Sequence, residues 1–297
     1  MADQSIFETS LLDESFNPKD TRNYGMGIIL NETRIGICIL DFRRNKFLSL
    51  HAAVRKELQS ADSHSVVIPS FNDFLNSVSS AIPWIRSSFK MVKVAYDGKK
   101  STLVPGALYD PNGKEQYLKF NFMQEPDEKI LADHLMPLDA WQVFAVPEPI
   151  IGAAATLCRG SRVVDASSVL IESIWINYKN RINEPHVFLH VRGPLFDLMI
   201  FDGRQMSYFN TFSFTNPEDV AYYLIFVLEQ LNFNPEAVPV VLLGNIEMGD
   251  GLSELLPRYI RNIETGRRND AYRYSYMMNQ LPPHFCFPLL NLFSCGL

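Results

Sequence analysis

The residues that could do chemistry are scattered, and most of their spacings argue against a conventional site. His186 and His190 have the i, i+4 separation of a helical metal pair. They fall in the apolar, β-prone run 186-HVFLHV-191, where four residues span about 13 Å, so no zinc site is expected. Asp41, Asp197 and Asp202 lie on strand-like stretches and could supply carboxylates for a two-metal nuclease. Asp197 and Asp202 differ by an odd number, which turns them to opposite faces of a strand. Gly244 and Gly249 have the G-x-x-x-x-G spacing of a phosphate loop, but Asp250 stands where the lysine must be. No G-x-S-x-G is present to hold a nucleophilic serine. In 258-RYIRNIETGRRNDAYRYSYMM-278, Arg258, Arg261, Arg267, Arg268 and Arg273 alternate with tyrosines that include Tyr272. Such a segment can anchor a protein interface or grip RNA by charge and stacking. The plainer reading is a solvated loop with its tyrosines packed downward. A protein partner is expected, with RNA as the alternative.

The elements that must position these residues follow from periodicity. Runs 24-YGMGIIL-30, 35-IGICILD-41 and 46-KFLSLHAAV-54, broken by NETR and FRRN, predict an antiparallel meander. A helix follows, with Ser70 as cap, Phe71, Phe74, Leu75, Val78 and Ile82 on one face, and Pro83 at its end. Then 91-MVKVAYD-97 returns to a strand. The same order recurs later: 186-HVFLHV-191, 195-LFDLMIFD-202 and 206-MSYFNTFSF-214, then a helix capped by Asn216 with Pro217 first and Glu218 and Asp219 in its opening turn. Its body, VAYYLIFVLEQL, is apolar on nearly every side and is expected to be buried between layers. Next, 238-VPVVLLGN-245 reads as a strand covered on both faces. Aligning ILDFRRNKFLSL with IFDGRQMSYFNT sets Asp41 on Asp202 and Arg43 on Arg204. An internal duplication is expected. Between the copies, 141-WQVFAVPEPIIGAAATL-157 reads as strand then helix, and 162-RVVDASSVLIESIWI-176 as a short strand leading into a helix.

The chain has 297 residues and 47% hydrophobic composition, enough for a large core. A net charge of −6 with dispersed Lys and Arg argues against DNA binding. Cys38, Cys158, Cys286 and Cys295 lack C-x-x-C spacing, which points to free thiols and a reducing compartment. The opening 23 residues form a polar leader without a secretion-signal pattern, and the nine-residue run 220-VAYYLIFVL-228 is too short to span a bilayer. A cytoplasmic protein without a membrane partner is expected.

A duplicated meander followed by helix and strand resembles the actin, sugar kinase and heat-shock chaperone ATPase superfamily. The succession LVPGALYD, YLKFNF, WQVFAVPEPI and VVLLGN is similar to a bacterial family of unknown function with an actin-like ATPase fold. The resemblance implies an α/β fold of two ribonuclease-H-like subdomains around a nucleotide cleft, each a mixed five-stranded sheet flanked by helices. The corresponding division is a leader at 1–23, a first subdomain at 24–160 and a second at 161–297.

The same resemblance implies where cleft chemistry should sit. Active members carry an Asp and a glycine-rich turn on the first hairpin of each half, because glycines admit phosphates to backbone N–H groups and the Asp organises a metal and water. Here the first hairpin, 28-IILNETRIGI-37, offers Asn31 and Thr33, with Glu32 placed against any phosphate. The second, 187-VFLHVRGPLFD-197, has Leu189 or His190 in the region of the acid and Arg192-Gly193-Pro194 for the glycines; Pro194 also lacks an N–H. The adenosine strand keeps Gly244, followed by Asn245. A catalytically degenerate module for binding or scaffolding is expected, with no catalytic residues, no metal and no cofactor. The rival is an ATPase or phosphotransferase with non-standard residues, in which Asn31, Arg192 and Asn245 would contact nucleotide.

Overall fold

The computed structural model describes residues 6–56, 69–157, 160–247 and 249–297, together with the backbone of two short paired strands within 57–68. Cys158 and His64 lie outside the described residues.

The chain opens with β1 (Phe7–Leu12), then the meander β2 (Tyr24–Leu30), β3 (Arg34–Asp41) and β4 (Lys46–Val54). The short strands β5 (Leu58–Gln59) and β6 (Val66–Val67) pair with each other. The helix α1 (Phe71–Ala81) starts where Ser70 Oγ accepts from the Asp73 amide at 3.2 Å and stops before Pro83. Its Phe74, Leu75 and Val78 are buried, as their spacing requires. After β7 (Met91–Tyr96) comes a separate antiparallel unit: β8 (Ser101–Pro105), the short helix α2 (Lys114–Lys119), β9 (Glu128–Leu135) and β10 (Ala140–Pro147). Then α3 (Glu148–Leu157), β11 (Val163–Asp165) and α4 (Ala166–Tyr178) lead into the second meander.

That meander is β12 (His186–Arg192), β13 (Leu195–Asp202) and β14 (Gln205–Ser213). It is followed by α5 (Pro217–Gln230), β15 (Val240–Gly244), α6 (Gly251–Leu255), β16 (Ile263–Thr265), β17 (Arg273–Tyr274) and α7 (Phe287–Asn291). The first sheet runs β1-β4-β3-β2-β7-β11 and the second β14-β13-β12-β15-β16. Without β1, the two share one order and one set of senses: two antiparallel pairings, then two parallel ones.

Several expectations need correction. The polar leader contains β1, which pairs antiparallel with β4, so the first sheet gains an outer strand. A second addition, β17, pairs parallel with β4, giving seven strands where five were expected. A division at residue 160 places β11 in the second half, yet it pairs with β7 of the first sheet. The C-terminal segment also crosses back. Gly25 and Gly27, on one face of β2, leave room for Phe293 and Leu292; a Cβ at Gly25 would meet Phe293 at 2.7 Å.

The helix α5 is not buried on every side either. Val220, Leu224, Val227 and Leu228 enter the second core, while Tyr222 is 64% and Phe226 45% exposed. Leu224→Ala should therefore cost about 3 kcal/mol in urea denaturation, whereas Tyr222→Ser should stay within about 0.5 kcal/mol of the parent.

Candidate functional site

A cleft of about 1020 Å³ opens between the two halves. Asn31, Thr33, His190, Arg192 and Asn245 all line it, while Gly244 is buried behind His190. Gly244 takes φ +82°, and a Cβ there would lie 2.1 Å from the Val191 carbonyl oxygen. It is thus needed by the turn that ends β15, whatever binds nearby.

The first hairpin turn is closed on itself. Asn31 Oδ1 accepts from the Thr33 amide at 2.9 Å, the Thr33 hydroxyl at 3.1 Å and the Arg34 amide at 2.8 Å. Asn31 Nδ2 donates to Asp97 Oδ2 at 3.4 Å, and the Tyr96 hydroxyl donates to Glu32 at 2.7 Å. The Asn31 side chain and the Thr33 and Arg34 amides are thus committed within the protein.

The second hairpin carries the strongest interaction in the cleft. Arg192, at the end of β12, donates Nε to Asp197 Oδ2 at 2.9 Å and Nη2 to Asp197 Oδ1 at 3.1 Å. Antiparallel pairing of β12 with β13 brings these two residues to the same end of the hairpin. The same guanidinium reaches across the cleft, with Nη1 to Asp97 Oδ1 at 2.5 Å and Nη2 to the Gly98 carbonyl at 3.1 Å. His190 Nδ1 lies 3.0 Å from Asp197 Oδ2, and the Thr211 hydroxyl donates to Asp197 Oδ1 at 2.7 Å. Burial alone would raise the Asp197 carboxyl, but Arg192 and His190 hold it well below the usual carboxylate range. Burial likewise opposes the Arg192 charge, and Asp197 with Asp97 overcomes that effect.

Asp97 is a site residue that reasoning from motifs passes over, and the same reasoning offers Asp197 only as a nuclease carboxylate. Asp97 follows the end of β7, and only the packing of the halves brings it to Arg192. Asp197 carried a signal, since it lies in a hairpin five residues after an arginine.

The remaining cleft cations also have partners. Lys100 lies 2.9 Å from Glu128, Lys99 donates to the Ser213 hydroxyl at 2.6 Å, and Arg34 lies 3.7 Å from Glu8. Seven carboxylates against four cations line the cleft, a balance that repels phosphate. Among the described residues, no group of three His, Cys, Asp or Glu side chains converges to hold a metal ion.

The arginine and tyrosine segment does not form one surface. Arg268 donates to the Met278 and Leu281 carbonyls, and Tyr272 packs edge-on against Phe47 with ring centres 5.1 Å apart. Arg258, Arg261, Arg267 and Arg273 are exposed. Arg258 follows α6 in the second half, whereas Arg273 pairs with Lys46 of the first sheet.

Behind the cleft, one residue before Ala166 of its lining, lies the buried Asp165. It accepts from Gln142 Nε2 at 3.1 Å, and its own amide donates to the buried Asp133 at 2.8 Å. Burial, then the charge of Asp133, pushes the Asp165 carboxyl up to about 7 from 3.8. The folded state therefore keeps a proton that the unfolded chain releases, so this group's contribution to stability is present in acid and lost as pH rises towards 7. Urea denaturation from pH 5 to 8 should show stability falling more steeply for the parent than for Asp165→Asn, which keeps the neutral form at every pH.

The arrangement of two like-ordered sheets around a cleft agrees with known structures. The chain is similar to a protein of unknown function from Bacteroides thetaiotaomicron with an actin-like ATPase fold: 19% identity, 95% of this chain, 99% of that one and a TM-score of 0.78. It is also similar to a chain of the PilM–PilN type IV pilus biogenesis complex: 12% identity, 92% of this chain, 98% of that one and a TM-score of 0.63. No curated protein matches the sequence. The fold is the actin-like ATPase fold, as the sequence resemblance implied. A family model described as protein of unknown function (DUF3822) matches residues 13–263, most of the chain, and the chain belongs to that family.

Proposed function

We propose that this chain is a catalytically silent actin-like module that works by binding a protein partner. The observation that carries the reading is Arg192, whose guanidinium occupies the second hairpin's turn region and ties Asp197 of one half to Asp97 of the other. Phosphate binding there would have to displace two carboxylates from a buried arginine, at a cost that a nucleotide must first overcome. The closed Asn31 turn and the excess of carboxylates support the same reading. The shared strand order supports an internal duplication in which the fold was kept and the phosphate-binding function lost.

A protein partner, rather than RNA or DNA, suits the net charge of −6. The neighbour PilM is found in a complex with PilN, so the fold is compatible with partner binding, an argument by analogy. Among the described residues, no helix is long and apolar enough to cross a membrane, and a cytoplasmic site of action is part of the proposal.

Thermal denaturation with 1 mM Mg-ATP, ADP or AMP tests this reading. A site of ~10 μM affinity would add about 2.7 kcal/mol under those conditions. The expected result is no shift with any of the three. Stabilisation by nucleotide that is abolished in Asn245→Asp would overturn the reading and favour a working ATPase.

A further inference from the structure

A line of side chains on α5 faces away from the core. Glu218, Tyr222, Phe226 and Glu229 fall at i, i+4, i+8 and i+11, which sets them along one stripe of the helix. The Tyr222 and Phe226 rings stack with centres 6.1 Å apart. Leu255 and the 52% exposed Tyr259, from α6 and the turn after it, form the other wall of a groove of about 400 Å³. Exposed aromatic residues concentrated in a groove are the usual anchors of a protein interface. Glu218 and Glu229 bracket the aromatic pair roughly 17 Å apart along the axis, and among the described residues neither carboxylate has an ion-pair partner.

We propose that this groove docks an amphipathic helix from a protein partner. That helix would lay apolar side chains over Tyr222, Phe226 and Tyr259 and present a Lys or Arg to each of Glu218 and Glu229. Charge selects this occupant over the other two. In a symmetric pair of copies joined through α5, either helix direction brings glutamate against glutamate, which costs free energy. An anionic lipid surface would meet the same two carboxylates and be repelled. A basic helix gains at both ends while covering the aromatic rings. This surface belongs to the binding role proposed above, but its test does not involve the cleft: nucleotide binding would overturn that reading and leave this one standing.

The test uses the full chain and fluorescein-labelled helical peptides of about 16 residues, long enough to cover the stripe. One peptide carries leucines on one face with lysines eleven positions apart, matching Glu218 and Glu229. Its counterpart has glutamates at those two positions. Fluorescence anisotropy should show the lysine peptide binding at least about tenfold more tightly than its counterpart. E218K/E229K should reverse that order. F226S should weaken the lysine peptide about tenfold without changing the melting temperature, because Phe226 is a surface residue. No binding, equal binding of both peptides, or insensitivity to E218K/E229K would overturn the proposal. So would self-association in sedimentation, or binding to phosphatidylserine vesicles, that is lost in F226S.

Discussion

The relation between the two halves depends on one buried guanidinium. Arg192 is largely shielded from water, its side chain 10% exposed, and an arginine in such a place persists only when anions replace its hydration. Asp197 supplies a two-point contact from the adjacent strand, and Asp97 a third from the opposite half. Asp197 is itself buried, so it requires Arg192 as much as Arg192 requires it. Loss of one partner would leave a buried charge uncompensated, at about 3–5 kcal/mol. A mutual obligation of charges therefore spans the cleft. Three further partners, His190, Thr211 and the Gly98 carbonyl, complete the hydrogen bonding that such an ion pair needs.

A second set of contacts makes the halves one body. The C-terminal segment leaves the second sheet, pairs β17 with β4 of the first, and lays α7 and Phe293 over the glycine face of β2. Asn291 Oδ1 accepts from both Asn177 and Asn269, and Lys93 donates to the Cys295 carbonyl at 2.7 Å. His284 joins this segment to the cleft: its Nε2 lies 2.7 Å from the Ile246 carbonyl, and its own carbonyl accepts from the Gly244 amide at 3.0 Å. The hairpin end and the C-terminal segment thus both join the two halves.

Much of this architecture was legible from local pattern. The meanders follow from apolar runs between polar turns, and α1 and α5 begin where Ser70 and Asn216 can accept from their own third amides. What local pattern does not carry is the identity of the covering element. The β1 strand is short and mixed in polarity, and only its pairing with β4 makes it a strand. The body of α5 contains too many apolar residues to reveal its wet side, because Tyr222 and Leu224 differ in exposure through tertiary contact alone. The cleft residues from the hairpins were found because hairpin position is local. Asp97 was not, because its role depends on a contact between residues 95 positions apart. The Arg–Tyr segment shows the converse: Arg268 and Tyr272 are drawn inward by carbonyls and by Phe47, neither of which is visible in composition.

The claim that Arg192 holds the halves together is tested most directly by the distance between them. Arg43 and Arg204 are exposed and sit in corresponding turns of the two meanders, which suits them to a pair of nitroxide labels. Pulsed electron–electron resonance should give one narrow distance that millimolar Mg-ATP leaves unchanged and that broadens in Arg192→Ala. A distance that shifts when Mg-ATP is added to the parent protein, or that stays equally narrow without Arg192, would contradict the account.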